Sequence, residues 1–372
     1  MKRPGRIVAV FTGLAGGMAA ILVAVPGWFG AANAHEPELS RYGYWRDIRP
    51  LLERHCASCH SGTGPAPVNL MRYLDALPWA NSIARQVLER QMPPWLPDDG
   101  TGDFAHARTL DDRETDMLVD WAIGLAPEGP GPEEEPELPG AGADLPPSRL
   151  TLAEPVVIGA MESAAAVCQP LVRGEGVGTA AAGFALAPGE AVSILRRAVL
   201  VAGDDCASGA PLFTWVVGQG PRLRPEGVFD RLPEDAGLFL HLSYRKGFDT
   251  EGLEFEDAPQ VVVFPPHPDR TRAVEMLAVE PGTTPVGPAT LLSVLPPEGL
   301  DPGPDGFAVE VVGNDGAVTP LLRIRRFDAD WAEKFAFRDP VRLAAGAAIR
   351  VSHPGAILDL VRTPPTGSDE NP

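Results

Sequence analysis

The short run Cys56-Ala57-Ser58-Cys59-His60 constrains this chain more than any other stretch. Two cysteines separated by two residues and followed directly by histidine form the attachment signature of a c-type haem. The thiols form thioethers with the porphyrin vinyl groups, and the histidine becomes an axial ligand of the iron. The sequence therefore predicts one covalent haem c, attached through Cys56 and Cys59 and ligated by His60.

Two other chemistries use a Cys-x-x-Cys pair: a zinc half-site and a thioredoxin-like dithiol. Zinc would need a second pair of ligands, but the remaining cysteines, Cys168 and Cys206, lie far along the chain from the motif and from each other. A thioredoxin-like site would need a βαβ context, which the flanking sequence lacks. The adjacent histidine and the flanking sequence favour haem over both alternatives.

The N-terminus predicts export. Lys2, Arg3 and Arg6 precede an uncharged run that ends in Ala32-Asn33-Ala34, a small-residue cleavage site. We expect residues 1–34 to be a signal peptide; the alternative is an uncleaved N-terminal anchor, because the run is long enough to span a bilayer. Both alternatives place the rest of the chain in the periplasm or another extracytoplasmic compartment. A disulfide between Cys168 and Cys206 could persist there.

Residues 35–126 predict a monohaem, all-α domain of the class I cytochrome c type. One apolar stripe runs from Trp45 into the haem motif, a second helix is expected from Trp79 to Arg90, and a third from Thr109. The glycines and prolines after His60 predict a loop. We hypothesise that the carbonyl of Pro65 or Pro67 accepts the His60 ring N–H and orients the ring.

The sixth iron ligand has five candidates in this region: Met71, Met92, Met117, His55 and His106. Met92 is preferred because paired prolines follow it and stiffen its loop, with His106 as the alternative. Methionine–histidine ligation leaves no open position on the iron, which is typical of electron transfer and not of oxygen chemistry.

Proline and acidic residues over 127–150 predict a stiff, self-repelling linker. Beyond it, apolar residues alternate with a period of two between turn signals, as in 237–244 and 307–312. Residues 151–372 are therefore predicted to be all-β, with one or two sandwiches and a possible subdivision near 265–275.

A family resemblance adds to this interpretation. It is carried by the haem motif together with Gly64-Pro65-Ala66-Pro67, Pro78-Trp79-Ala80, Gln91-Met92-Pro93-Pro94-Trp95 and Ala126-Pro127-Glu128-Gly129. The stretch from Asp47 to Gly129 resembles the cytochrome c module found ahead of bacterial type II copper, ascorbate-dependent monooxygenase-like domains. More weakly, 232–246 and 325–346 resemble landmarks of the paired jelly-roll (PHM-like) β-sandwiches of that family.

The departures from that family concern copper. Its enzymes bind two coppers through a His-His pair with a strand histidine, and through a His-x-His pair with a methionine. Residues 127–372 contain only His241, His267 and His353, no two of them adjacent or two apart, and Ser243 stands where a strand ligand is expected. Copper is therefore not expected, because an isolated imidazole makes neither site.

These observations favour an electron carrier over an enzyme, with no catalytic residue assigned. We expect an exported monohaem c-type cytochrome whose β-sandwich region docks or assembles with a redox partner protein. The alternatives are a copper monooxygenase with a built-in haem donor and a haem-based redox or gas sensor or binding protein. The net charge of −19 argues against a nucleic-acid partner, and membrane contact is expected only if the N-terminus is an anchor.

Overall fold

The chain folds into a helical segment (residues 39–132) followed by an N-terminal sandwich (148–264) and a C-terminal sandwich (275–362). The structure is a computed structural model that describes residues 38–62, 64–132, 145–146 and 148–362. The predicted signal peptide and most of the predicted linker lie outside the described residues. Strands account for 37% of the structure and helices for 15%.

The helices are short. A π-helix, Tyr44–Ile48, leads directly into the first α-helix, and a 3₁₀ turn, Leu77–Trp79, precedes the fourth. The α-helices are α1 (Arg49–His55), α2 (Ala57–His60), α3 (Tyr73–Ala76), α4 (Ala80–Leu88) and α5 (Asp112–Ile123).

The start of α5 shows how local chemistry sets a helix boundary. The Asp111 carboxylate accepts a hydrogen bond from the Glu114 backbone N–H at 2.7 Å, and the Glu114 carboxylate accepts one from the Asp111 N–H at 3.1 Å. With this capping box the helix begins at Asp112, three residues later than the predicted start at Thr109. The apolar face of α5, including Leu118 and Trp121, is then buried with the other helices.

The N-terminal sandwich is built around an eight-stranded sheet of order β7-β6-β10-β3-β1-β12-β5-β8, whose core includes fully buried Leu150, Leu200 and Leu240. Its strands are β1 (Arg149–Leu152), β2 (Val156–Ile158), β3 (Ala164–Arg173), β4 (Ala180–Ala181), β5 (Gly183–Ala187), β6 (Leu195–Gly203), β7 (Ala210–Val216), β8 (Arg222–Leu223), β9 (Val228–Arg231), β10 (Gly237–Arg245), β11 (Phe255–Asp257) and β12 (Gln260–Phe264).

The C-terminal sandwich consists of two four-stranded sheets, β14-β21-β16-β19 and β15-β20-β17-β18, and a short β13 pairs with β9 ahead of it. A 3₁₀ turn, Ala329–Trp331, precedes β19. The strands are β13 (Arg272–Ala273), β14 (Glu275–Val279), β15 (Gly282–Pro285), β16 (Ala289–Leu295), β17 (Phe307–Val312), β18 (Val318–Ile324), β19 (Phe335–Leu343), β20 (Ala348–Val351) and β21 (Ala356–Arg362).

The prediction of an all-α class I cytochrome c domain is wrong, whereas the β-rich region agrees with the structure. The chain between α4 and α5 joins the C-terminal sandwich: the Ala105 N–H donates to the Ala336 carbonyl and the Arg338 N–H to the Asp103 carbonyl, both at 2.8 Å.

The physical reason is aromatic burial. Trp95 lies edge-on to Phe335 with ring centroids 5.3 Å apart, and Phe104 stacks on Phe337 at 5.3 Å. The C-terminal sandwich therefore buries aromatic side chains from the region 35–126, which the sequence predicts to be a separate all-α domain.

The disulfide between Cys168 in β3 and Cys206 in the β6–β7 turn is formed, with Cα atoms 6.0 Å apart. Disulfides persist in oxidising compartments, so this bond indicates an extracytoplasmic protein. Among the described residues, no helix combines the length and apolar character needed to cross a membrane.

A buried ion cluster joins the two sandwiches. Asp359 of β21 is 1% exposed and contacts Arg224 of the N-terminal sandwich at 2.9 Å and Lys334 at 2.7 Å. The Ser293 hydroxyl donates to the same carboxylate at 2.8 Å, and Arg224 also binds Asp230. Burial by itself raises the pKa of Asp359, but Lys334 and Arg224 outweigh it, so the pKa lies below its ordinary value.

We predict that Asp359→Asn lowers the free energy of unfolding by about 3–5 kcal/mol, because it leaves two buried cations short of a partner. Urea unfolding at pH 7 measures this. A folded-state pKa below the unfolded value of about 3.9 stabilises the fold above that pH. The deficit of the variant relative to wild type should therefore shrink as the pH falls below about 4.

The control is Glu275→Gln, which removes one partner of the exposed Arg362–Glu275 pair on the same sandwich. Exposed pairs contribute about 0–1 kcal/mol, so this variant should unfold almost like wild type. Equal losses in the two variants would contradict a stabilising role for the buried cluster.

Candidate haem site

The haem motif lies on a tight helical turn. Cys56 separates α1 from α2, and its carbonyl accepts hydrogen bonds from the His60 N–H at 2.8 Å and the Cys59 N–H at 3.1 Å. Both thiols are free of disulfide bonds. The turn thus presents two cysteines and one histidine within five residues.

The two thiols are held in their neutral form. Burial, and then the neighbouring Cys59, raise the pKa of Cys56 to about 12, and burial raises the pKa of Cys59. Reactive dithiols have lowered pKa values, and zinc binds the thiolate. The raised pKa values therefore disfavour a reactive dithiol at this turn.

His60 has the protonation that an iron ligand needs. Its Nδ1 lies 2.9 Å from the Val68 carbonyl oxygen. Because a carbonyl only accepts, Nδ1 carries the proton and Nε2 keeps its lone pair. Burial lowers the pKa of His60, which favours the neutral ring.

The hypothesis that Pro65 or Pro67 orients the His60 ring is wrong, since the accepting carbonyl belongs to Val68. The loop after the motif folds back onto α2, where the Ala66 N–H donates to the Cys59 carbonyl at 3.0 Å and the Leu70 N–H to the His60 carbonyl at 2.9 Å. Val68 lies between Ala66 and Leu70 in the chain, so these two bonds hold its carbonyl beside the His60 ring.

The structure separates the candidates for the sixth ligand. Met71 is 2% exposed and belongs to the helical core, and Met117 packs against that core. His55 Nε2 lies 3.3 Å from Glu114. Met92 is 41% exposed on the loop after α4, and it lines a cavity.

That cavity has a volume of about 810 Å³, within the range of cofactor sites. One wall is the end of α4 and the loop 90–99, the second is the segment 108–115, and the third is the loop 325–331 of the C-terminal sandwich. Its charged lining residues are Arg90, Arg108, Arg325, Arg326, Asp98, Asp99, Asp112 and Asp328.

Arg108 connects the cavity with the haem motif. Its Nη1 donates to the Val217 carbonyl at 3.2 Å, and the Cys59 thiol lies 3.9 Å from the same oxygen. Among the described residues, the cavity lining includes Met92 and Arg108 but not Cys56, Cys59 or His60. The structure thus brings Met92 to the cavity and links Cys59 to it through Arg108.

The sequence interpretation missed the residues at this junction. Arg108 pairs with Glu333 of the C-terminal sandwich at 2.7 Å, and its guanidinium lies 5.5 Å from the ring of Trp331. In the sequence, the stretch around Trp331 carries only the weak resemblance to the paired β-sandwiches. Local sequence holds no signal for this junction, because Arg108 and Glu333 are more than two hundred residues apart in the chain.

The three histidines of the sandwiches lie on different elements. His241 is on β10 opposite Cys168, His267 is in the loop after β12, and His353 follows β20, where its Nδ1 lies 2.8 Å from the Ser352 hydroxyl. Within the described part of the chain, no group of three or more His, Cys, Asp or Glu side chains could hold a metal ion.

No model of a known protein family matches this chain, and a search of curated proteins finds no match either. The resemblance to the cytochrome module of copper monooxygenase-like proteins therefore stays a prediction.

We predict that Gly218→Ala destabilises the protein more than Gly252→Ala does. Both glycines have positive φ, +81° and +78°, so alanine pays about 1–2 kcal/mol of backbone strain at either position. A Cβ at Gly218 would also stand 2.7 Å from the Cys59 Sγ, whereas at Gly252 it meets nothing within 4 Å. Overpacking adds about 1–3 kcal/mol to the loss at Gly218.

Thermal unfolding measures both variants. Because the backbone strain is the same in both, the difference between their Tm values reports the contact between the haem motif and the N-terminal sandwich. Equal decreases in Tm would show that Cys59 does not pack against this sandwich.

Proposed function

We propose that this chain is an exported c-type haem protein that transfers single electrons to or from a redox partner protein. The observation that carries the proposal is the Cys56–Cys59–His60 turn, in which His60 Nδ1 lies 2.9 Å from the Val68 carbonyl and both thiols are free of disulfide bonds. A bound haem c supplies a one-electron iron couple. The disulfide supports an extracytoplasmic location, and we propose the periplasm, reached through the predicted signal peptide.

Each side chain has a distinct role in this proposal. Cys56 and Cys59 would hold the porphyrin covalently, His60 Nε2 would ligate the iron, and Met92 would be the second protein ligand of the iron. The Val68 carbonyl keeps the proton on Nδ1 and so keeps Nε2 available to the iron. A site closed by Met92 favours electron transfer over gas sensing, because it leaves no coordination position for a small molecule.

His106 is a weaker candidate for the sixth ligand. Partial burial, and then the charges of Arg222 and Arg338, lower its pKa to about 4, so its ring is neutral and chemically able to ligate. It is not, however, among the described residues that line the cavity, whereas Met92 is.

The C-terminal sandwich contributes to this proposal by supplying the third wall of the cavity through residues 325–331. The rest of the sandwich surface is available for docking the redox partner. Since the chain carries a net charge of −19, a partner that docks electrostatically should present basic groups.

We predict that the full chain, expressed with a haem c maturation system, retains haem after denaturation and acid extraction. The double variant Cys56→Ala, Cys59→Ala should lose this haem, because no thioether can form. The matched control is the other cysteine pair: Cys168→Ser, Cys206→Ser removes the disulfide and should keep the haem. A wild-type chain that matures without covalent haem would refute the proposed function.

We also predict that Met92→Ala removes the absorption band of methionine–iron ligation, lowers the midpoint potential and lets the ferrous protein bind CO. The control is Met161→Ala, which truncates a methionine that is 94% exposed outside the cavity and should leave the spectrum unchanged. CO binding by the wild type would favour the sensor alternative, and an unaltered Met92→Ala spectrum would exclude Met92 as the ligand.

A further inference from the structure

Four large apolar side chains are exposed on two neighbouring segments of the N-terminal sandwich. The first segment is β2 with its loop to β3, and the second is the loop from β10 to β11. Met161 and Phe248 are 94% and 85% exposed, and Val157 and Leu253 are more than half exposed. Single exposed apolar residues need no explanation, but a group of them on one surface indicates an interaction site. We call these four residues the apolar tip.

Lys246 joins the two segments. Its ammonium donates hydrogen bonds to the carbonyls of Gly159 and Leu253, both at 2.6 Å, and to the carbonyl of Ala160 at 3.2 Å. The strands β2 and β11 also pair with each other beside the loops. Because these bonds hold the apolar tip in one arrangement, a partner that docks there orders little further chain, which favours binding.

Carboxylates accompany the apolar tip. Residues 153–163 and 246–257 contain one basic side chain, that of Lys246, and its ammonium is occupied by the three carbonyls. The exposed carboxylates of the same stretches are those of Glu154, Glu162, Asp249, Glu251, Glu254 and Glu256. Protein interfaces commonly have an apolar centre and a polar rim, and complementary rim charges select the partner. This acidic rim therefore attracts a basic surface.

The apolar tip lies at the end of the eight-stranded sheet that contacts the haem motif. At this end β10 finishes with Arg245, which pairs with Ala164 at the start of β3 and donates its N–H to the Ile194 carbonyl just before β6. β7 finishes at the same end, and the Val217 carbonyl that follows it lies 3.9 Å from the Cys59 thiol. Strand β6 lies between β7 and β10. Because neighbouring strands are about 4.8 Å apart, the loop after β10 starts about 10 Å from that contact.

We propose that the apolar tip is the docking surface for the redox partner, and that this partner is a protein with an apolar patch ringed by basic side chains. The inference rests on the proposed function, because it describes the partner of that same electron transfer. Docking there brings the partner to the end of the sheet that contacts Cys59. A second copy of this chain would place one acidic rim against another, and an anionic phospholipid surface would repel the rim, so the charges disfavour both as occupants.

The first test reverses charge at either end of β10 in the haem-loaded full chain. Glu251→Lys with Glu254→Lys changes the loop after β10, and the matched control, Glu234→Lys with Asp235→Lys, changes the loop before it. All four side chains are exposed, both variants have the same net charge, and the nine residues of β10 separate the loops by about 30 Å. The probe is a small blue-copper protein whose apolar patch is ringed by lysines.

Stopped-flow mixing follows the transfer of one electron from the ferrous haem to the Cu(II) of the probe. At low ionic strength we expect the Glu251→Lys, Glu254→Lys variant to react about tenfold more slowly than the Glu234→Lys, Asp235→Lys control, because local electrostatic steering is lost. The wild type should react faster with this probe than with a form of it whose lysines are changed to glutamate. Equal rates in either comparison would overturn the proposal.

The second test removes the aromatic side chain of the apolar tip. Phe248→Ser should weaken binding of the probe about tenfold in titration calorimetry with both proteins oxidised, because aromatic anchors dominate the energetics of protein interfaces. The control is Val172→Ser, which changes an exposed residue near the far end of β3 and should bind like wild type.

An unchanged affinity in Phe248→Ser, or an equal loss in Val172→Ser, would overturn the proposal. So would wild-type binding to phosphatidylglycerol vesicles, or wild-type dimerisation, that Phe248→Ser abolishes, because a membrane or a second copy would then be the occupant. Absence of haem from the wild type would instead refute the proposed function. Calorimetry detects docking without electron transfer, so the two failures are distinguishable.

Discussion

The buried Glu333 carboxylate is the interaction on which the arrangement of this protein depends. Its side chain is 3% exposed, and it accepts charged hydrogen bonds from Arg108 of the helical segment and Arg222 of the N-terminal sandwich. Removing a carboxylate from water costs several kcal/mol, which only close, well-oriented cations offset. The three parts of the chain therefore meet at this carboxylate, and its partner Arg108 also lines the cavity and shares the Val217 carbonyl with Cys59.

Because of this junction, the helical segment that carries the haem motif is not a separate domain. A self-contained helical domain would close its own haem pocket, but here the segment between α4 and α5 hydrogen-bonds to the C-terminal sandwich, and the loop 325–331 forms one cavity wall. The C-terminal sandwich is thus part of the cavity that Met92 lines. Aromatic and guanidinium groups of the C-terminal sandwich, such as Trp331 and Arg326, line this cavity beside Met92.

Features that depend on local sequence could be predicted, whereas features that depend on long-range contacts could not. The Cys56–His60 turn and strands such as Gly237–Arg245 follow from short motifs and from alternation of apolar residues. The strand Ala164–Arg173 has no comparable local signal, because its alanines have low β-propensity, and it forms by pairing with β1 and β10. The Val68 carbonyl and the Arg108–Glu333 pair depend on how the backbone folds back, which residue spacing does not encode.

A crystal structure of the haem-loaded full chain tests the central claim most directly, namely that one pocket is built jointly by the helical segment and the C-terminal sandwich. The account predicts a haem bound to Cys56, Cys59 and His60, with Met92 on the iron and the loop 325–331 against the porphyrin. A haem enclosed by the helical segment alone, with that loop out of contact, would contradict it.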